Sequence, residues 1–132
     1  MPDISRLLGN KFLLALAIIY SLGITVLFLM PTSDLPKMHL PGGFDKIVHL
    51  LIHFGLVCLW QLYLLKRYNN TLPLKSILFL LAAILIYGIV IELLQGTLTV
   101  SRTADFNDVI ANFSGALLGV LVFRNVKRFF AP

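Results

Sequence analysis

The 132-residue chain is 58% hydrophobic and only 13% charged, with a mean hydropathy of +0.91. A soluble domain carries about a quarter charged residues, so the composition excludes an ordinary soluble fold and fits one compact membrane domain over residues 1–132. The net charge of +5 does not mark a nucleic-acid binder, because the basic residues gather at the ends of apolar runs, where topology signals and headgroup contacts belong.

A short polar lead with Arg6 and Lys11 precedes an uncharged run from Phe12 to Met30. At 1.5 Å per residue that run crosses a hydrocarbon core of roughly 30 Å. It exceeds the roughly 7–15 apolar residues of a signal peptide and ends in Phe-Leu-Met-Pro rather than a small-x-small cleavage site, so it reads as a retained helix. Ala17, Ser21 and Thr25 form a stripe of small residues along it, which lets a neighbouring helix come close. Pro31, Pro36, Pro41 and Gly42-Gly43 then make residues 31–44 a loop. The second run, Ile47 to Leu65, carries His49, His53 and the interfacial aromatics Trp60 and Tyr63. Its lone Cys58 reads as a core residue, leaving neither an intrachain disulfide nor a thiolate metal cage. Lys66, Arg67 and Asn69-Asn70 form a connection, and Pro73 suits the start of the third run, Leu74 to Gln95, with Gly96 as its C-terminal cap. After a loop over 97–104, the fourth run spans about Asp105 to Phe123, with Ala111, Gly115 and Gly119 as a second stripe for helix packing. The expectation is an all-α polytopic membrane protein, with transmembrane helices at about 12–30, 47–65, 74–95 and 105–123.

Orientation follows from the basic residues. Arg6, Lys11, Lys66, Arg67, Lys75, Arg124, Lys127 and Arg128 fall on one side, and only Lys37, Lys46 and Arg102 on the other. Cytoplasmic loops carry the excess of Lys and Arg, which predicts both termini in the cytoplasm. Asp34, Asp45, Glu92, Asp105 and Asp108 then lie towards the outside, with Asp3 alone inside.

Helical spacing puts several of these polar residues on shared faces. Asp45, His49 and His53 are four apart, Glu92 and Gln95 three apart, and Asp105, Asp108 and Asn112 follow i, i+3, i+7. Ionisable residues at membrane depth are expensive, so a common pocket between the second, third and fourth helices is the simplest expectation. Plainer roles stand beside it. Asp105 and Asp108 suit an N-cap and first-turn carboxylate, and Asp45 a cap of the second helix. Glu92 suits an ion pair with Lys46 or Arg102, Asn112 interhelical hydrogen bonding, and His53 a core hydrogen bond. His49 and His53 could ligate a metal with Glu92 and an aspartate of the fourth helix, but without an HExxH pattern the pair is a weak signal, and neither metal nor other cofactor is expected.

The ordered set Asp45-Lys46-x-x-His49, Glu92-x-x-Gln95 and Arg102-x-x-Asp105-x-x-Asp108-x-x-x-Asn112-x-x-Gly115-x-x-x-Gly119 resembles the VanZ-like membrane proteins. The resemblance covers about Asp45 to Gly119 and implies a bacterial cytoplasmic-membrane protein acting at the envelope, in a family whose name-giving member is associated with teicoplanin resistance. Besides the bilayer, the expected partner is a lipid headgroup or cell-wall precursor, with Arg102 as a bidentate phosphate or carboxylate clamp. Three alternatives stay open: an enzyme using His49 or a carboxylate as general base on a lipid-linked substrate, an ion pathway, and a structural partner subunit. The pathway is disfavoured by apolar stretches such as Ile77 to Leu85.

Overall fold

A computed structural model describes residues 9–31, 41–100 and 102–129. Asp3, Arg6, Asp34, Pro36 and Lys37, used above in reading the termini and first loop, lie outside them. Among the described residues the chain forms α1 (Asn10–Leu29), α2 (Phe44–Arg67), α3 (Leu74–Leu98) and α4 (Phe106–Val126), the last running into a short 3₁₀ turn at Lys127–Phe129. All four helical segments are long and apolar enough to cross a membrane.

Two helices run further than their sequence punctuation predicts. Gly43, in the left-handed region at φ 84°, is the N-cap of α2, so the helix starts at Phe44 and Asp45 lies inside its first turn instead of capping it. Gly96 does not stop α3, which continues to Leu98 and ends at Thr99. Its missing side chain serves tertiary packing: a Cβ there would stand 3.1 Å from the Ala104 backbone nitrogen. The Asn69-Asn70 connection behaves as its composition predicts. Both residues adopt positive φ, which asparagine tolerates better than most residues, and Asn70 N–H closes onto the Leu65 carbonyl at 2.8 Å.

The most intimate helix pair is α2 with α4, while α1 packs on α2 and, less extensively, on α3. A Cβ on Gly115 would overlap the Leu50 carbonyl, and one on Gly119 would overlap the Val57 side chain. The two glycines therefore set how closely α4 approaches α2. The stripe on α1 is used differently. Ser21 and Thr25 return their hydroxyl protons to carbonyls four residues back, and Thr25 also meets the Tyr87 hydroxyl at 2.7 Å. The Trp60 indole N–H donates to Ser21 Oγ at 3.2 Å, so Trp60 is bonded inwards to α1 as well as stacked edge-on against Tyr63.

Burial is inverted relative to a soluble protein. Large apolar side chains such as Ile19, Leu22, Phe79 and Leu121 are exposed, whereas His49, His53, Gln61, Glu92, Gln95, Asp108 and Asn112 are buried. An apolar exterior, with buried polar groups partnered inside the bundle, is what a bilayer selects, since lipid tails accept apolar side chains and interior polar groups must find partners within the bundle. An apolar core of Ile24, Leu56, Val57, Ile84, Ile91 and Val120 occupies the space between the helices.

Candidate functional site

The polar side chains converge at the end of the bundle where α2 begins, α3 ends and α4 begins. Lys46, in the first turn of α2, gathers the carboxylates of that end. Its Nζ lies 2.9 Å from Asp105 Oδ2, 3.1 Å from Asp108 Oδ1 and 3.2 Å from Asp45 Oδ2. Asp45 is the exposed member of this group, whereas the Asp108 side chain is only 12% exposed. The Lys46 hydrogen bond and the Asn107 backbone N–H hold the Asp105 carboxyl below the usual aspartate range. Asp105 Oδ1 accepts that N–H at 2.9 Å, so Asp105 is the N-cap of α4 while its other oxygen serves Lys46.

Glu92 is bonded otherwise than a simple ion pair predicts. Its carboxylate accepts the Asp105 backbone N–H at 3.1 Å, and neither Lys46 nor Arg102 forms a salt bridge with it. The arrangement works as a capping box closed between helices, with a carboxylate of α3 satisfying a free donor at the start of α4. One turn deeper, His49 Nδ1 and Asn112 Oδ1 are 3.0 Å apart. His49 Nε2 lies 3.7 Å from Asp108 Oδ2, and Nδ1 lies 4.0 Å from Glu92 Oε1. The residues expected to share a pocket therefore meet, although His53 turns away. Its Nδ1 bonds the His49 carbonyl at 3.0 Å and its ring faces Phe28 and Tyr87.

Helix α1 takes part as well, which spacing within the other three helices does not reveal. The Phe28 ring stacks on His49 with centroids 4.6 Å apart. Its carbonyl, near the C-terminal end of α1, accepts from Gln95 Nε2 at 2.8 Å and from Arg102 Nη1 at 3.4 Å. Gln95 and Arg102 thus tie α3 and its following connection to α1. Arg102 makes no salt bridge among the described residues. A phenylalanine within an apolar run carries no local mark of such a role.

Of these groups Asp45, Phe28, His49, Gln95, Arg102, Asp105 and Asp108 line a cleft of about 650 Å³, whereas Lys46 and Asn112 are not among its walls and Glu92 lines a separate groove. A second, more apolar groove of about 580 Å³ lies between α3 and α4, lined by residues such as Leu85, Ile89, Val109 and Phe113. Asp105 borders both. The cleft thus offers acceptors, a guanidinium and an imidazole beside a lipid-compatible surface.

Four long apolar helices closing over a buried polar cluster define a multi-span membrane protein. Residues 9–129 match the VanZ/LLP1 family, and the chain belongs to it. No curated protein and no solved structure matches the chain.

Proposed function

We propose that the chain holds the phosphate-bearing headgroup of an envelope lipid or lipid-linked cell-wall precursor at the outer face of the bacterial cytoplasmic membrane. The observation that carries this reading is that Asp105 lines both the cleft that holds Arg102 and the apolar groove between α3 and α4. A headgroup in the cleft leaves its acyl chain free to lie in the groove, an arrangement suited to a lipid rather than a soluble ligand. Arg102 is the phosphate clamp: it lines the cleft without a salt-bridge partner among the described residues, and its planar fork suits bidentate bonding to phosphate. The excess of Lys and Arg at the opposite end of the helices supports an outward-facing cleft and cytoplasmic termini. Shielding or sequestering a cell-wall precursor in this way is the proposed route to teicoplanin resistance. Buried His49 beside Glu92 and Asp108 favours a second reading, acid–base chemistry on the same bound lipid.

The test is native mass spectrometry of protein extracted from bacterial membranes. Wild type is expected to retain a phosphate-bearing lipid, and Arg102→Gln to lose at least about ten-fold of that retention, the scale of one charge-assisted contact. Equal retention by the two proteins overturns the clamp. In a teicoplanin-sensitive host, wild type is expected to protect and Asp108→Asn, at matched membrane abundance, is not. Identical susceptibility of the wild-type and empty hosts removes the resistance role and leaves lipid binding to stand on the retention measurement.

A further inference from the structure

We propose that His49, Glu92 and Asp108 form a binding site for one divalent transition-metal ion of the Zn²⁺ or Mn²⁺ class. One donor atom from each residue lies within 4.8 Å of those of the other two. Each side chain also has one polar atom held by a neighbour, leaving a second one over. His49 Nδ1 is held by Asn112 Oδ1, Asp108 Oδ1 by Lys46, and one Glu92 oxygen by the Asp105 N–H. The atoms left over are His49 Nε2, Asp108 Oδ2 and Glu92 Oε1.

Their surroundings call for a cation. A neutral imidazole that donates its Nδ1 proton to the Asn112 carbonyl presents a lone pair at Nε2. That lone pair faces Asp108 Oδ2 across 3.7 Å, too far for a hydrogen bond. Glu92 Oε1 is buried without any hydrogen-bond partner, on a side chain only 4% exposed, and lies 4.0 Å from Nδ1 of the same imidazole, on its Asn112 side. A buried carboxylate oxygen that lacks a hydrogen-bond donor, close to a second carboxylate and an imidazole, is stabilised by a positive charge placed among them.

A divalent ion meets that need and balances two carboxylates against a neutral imidazole. At metal–ligand distances of about 2.0–2.2 Å, donor atoms around a tetrahedral ion stand about 3.4 Å apart. The 3.7 Å Nε2–Oδ2 separation therefore needs to close by only a few tenths of an ångström. One imidazole with two carboxylates suits Zn²⁺ or Mn²⁺, whereas Ca²⁺ prefers six to eight oxygens and Cu(I) prefers sulfur. Asn112, Lys46 and the Asp105 N–H already orient the ligands from outside, as outer partners do in metal sites. Three protein ligands leave a coordination position, and His49 and Asp108 both line the cleft. Of the set that spacing suggests, His49 and His53 with Glu92 and a fourth-helix aspartate, His53 is not a member, since it bonds the His49 carbonyl instead.

The inference does not depend on lipid binding and is tested without lipid. Purified protein in detergent, stripped with chelator, is dialysed against ZnCl₂ or MnCl₂ and its metal counted by mass spectrometry. The expected result is one ion per chain in wild type and in Cys58→Ser, with at least about ten-fold weaker binding in Glu92→Gln. X-ray absorption of the zinc-loaded wild type, which involves no substitution that could disturb folding, is expected to show one imidazole, oxygen ligands and no sulfur. Wild type that retains no stoichiometric metal overturns the site. Undiminished binding by Glu92→Gln, or an absorption spectrum with two imidazoles, overturns the ligand set.

Discussion

At the end of the bundle where α2 begins, the interior holds His49, Glu92 and Asp108. At the opposite end, the same helices bury Leu65, Ile77, Leu80 and Phe123. The polar end is joined by directional contacts: Lys46 to two carboxylates of the α4 entry, Glu92 to a backbone N–H, and Gln95 and Arg102 to the Phe28 carbonyl. Towards the far end the described interior is mostly apolar, with Gln61 Nε2 donating to the Gly119 carbonyl at 3.4 Å. Lipid tails are as apolar as leucine, so apolar burial in a bilayer stabilises mainly through packing quality. Buried ionisable groups contribute little net stability even when paired. Between the ends, Ser21, Thr25, Trp60 and Tyr87 form a neutral hydrogen-bonded layer that fastens α1 to α2 and α3.

Substitutions along the bundle test this division. The largest effect is expected from Gly115→Ala, because its methyl group meets the Leu50 backbone, which has little room to give. A loss of about 3 kcal/mol in reversible unfolding, the upper part of the overpacking range, is expected together with lost lipid retention. The reason is that parting α2 from α4 also separates His49 from Asn112. Unchanged stability would mean that the helices do not approach as closely as the glycines allow.

Phe123→Ala tests the far end. A loss of about 2 kcal/mol is expected, below the roughly 3–5 kcal/mol of an aqueous core because the separated helices already lie in lipid. Lipid retention per folded molecule should match wild type. A variant equally stable but unable to retain lipid would reverse the division between the two ends.

The smallest effect is the pH dependence contributed by Asp105. Its carboxyl is held below its ordinary value, so its contribution is present above the unfolded value near pH 4 and lost as pH falls through the folded one. Because the group is well solvated, the slope should be shallow and confined to below about pH 4. Asp105→Asn, which keeps a capping oxygen, should flatten it further in thermal melts taken across that range. An unaltered slope would place the acid sensitivity on other groups.

The number and approximate positions of the long apolar helices are legible in the chain alone. Crossing a bilayer requires a minimum length of uninterrupted apolar residues, a property written locally along the chain. The helical repeat is equally local, so it showed that Asp45, His49 and His53 share one face, and that Asp105, Asp108 and Asn112 share another. Helix ends were less legible. Asp45 and Gly96 have the right chemistry for caps, but Gly43 starts α2 and Gly96 is committed to a close approach by Ala104. Tertiary structure alone decided which groups meet: Lys46 with Asp105 and Asp108, Glu92 with a backbone N–H, and His53 with the His49 carbonyl. It also brought Phe28 of α1 onto His49. Pairings of this kind depend on the depth and rotation of each helix relative to its neighbours. Those are set by side-chain interlocking at contacts such as Gly115 on Leu50, between residues far apart in the chain.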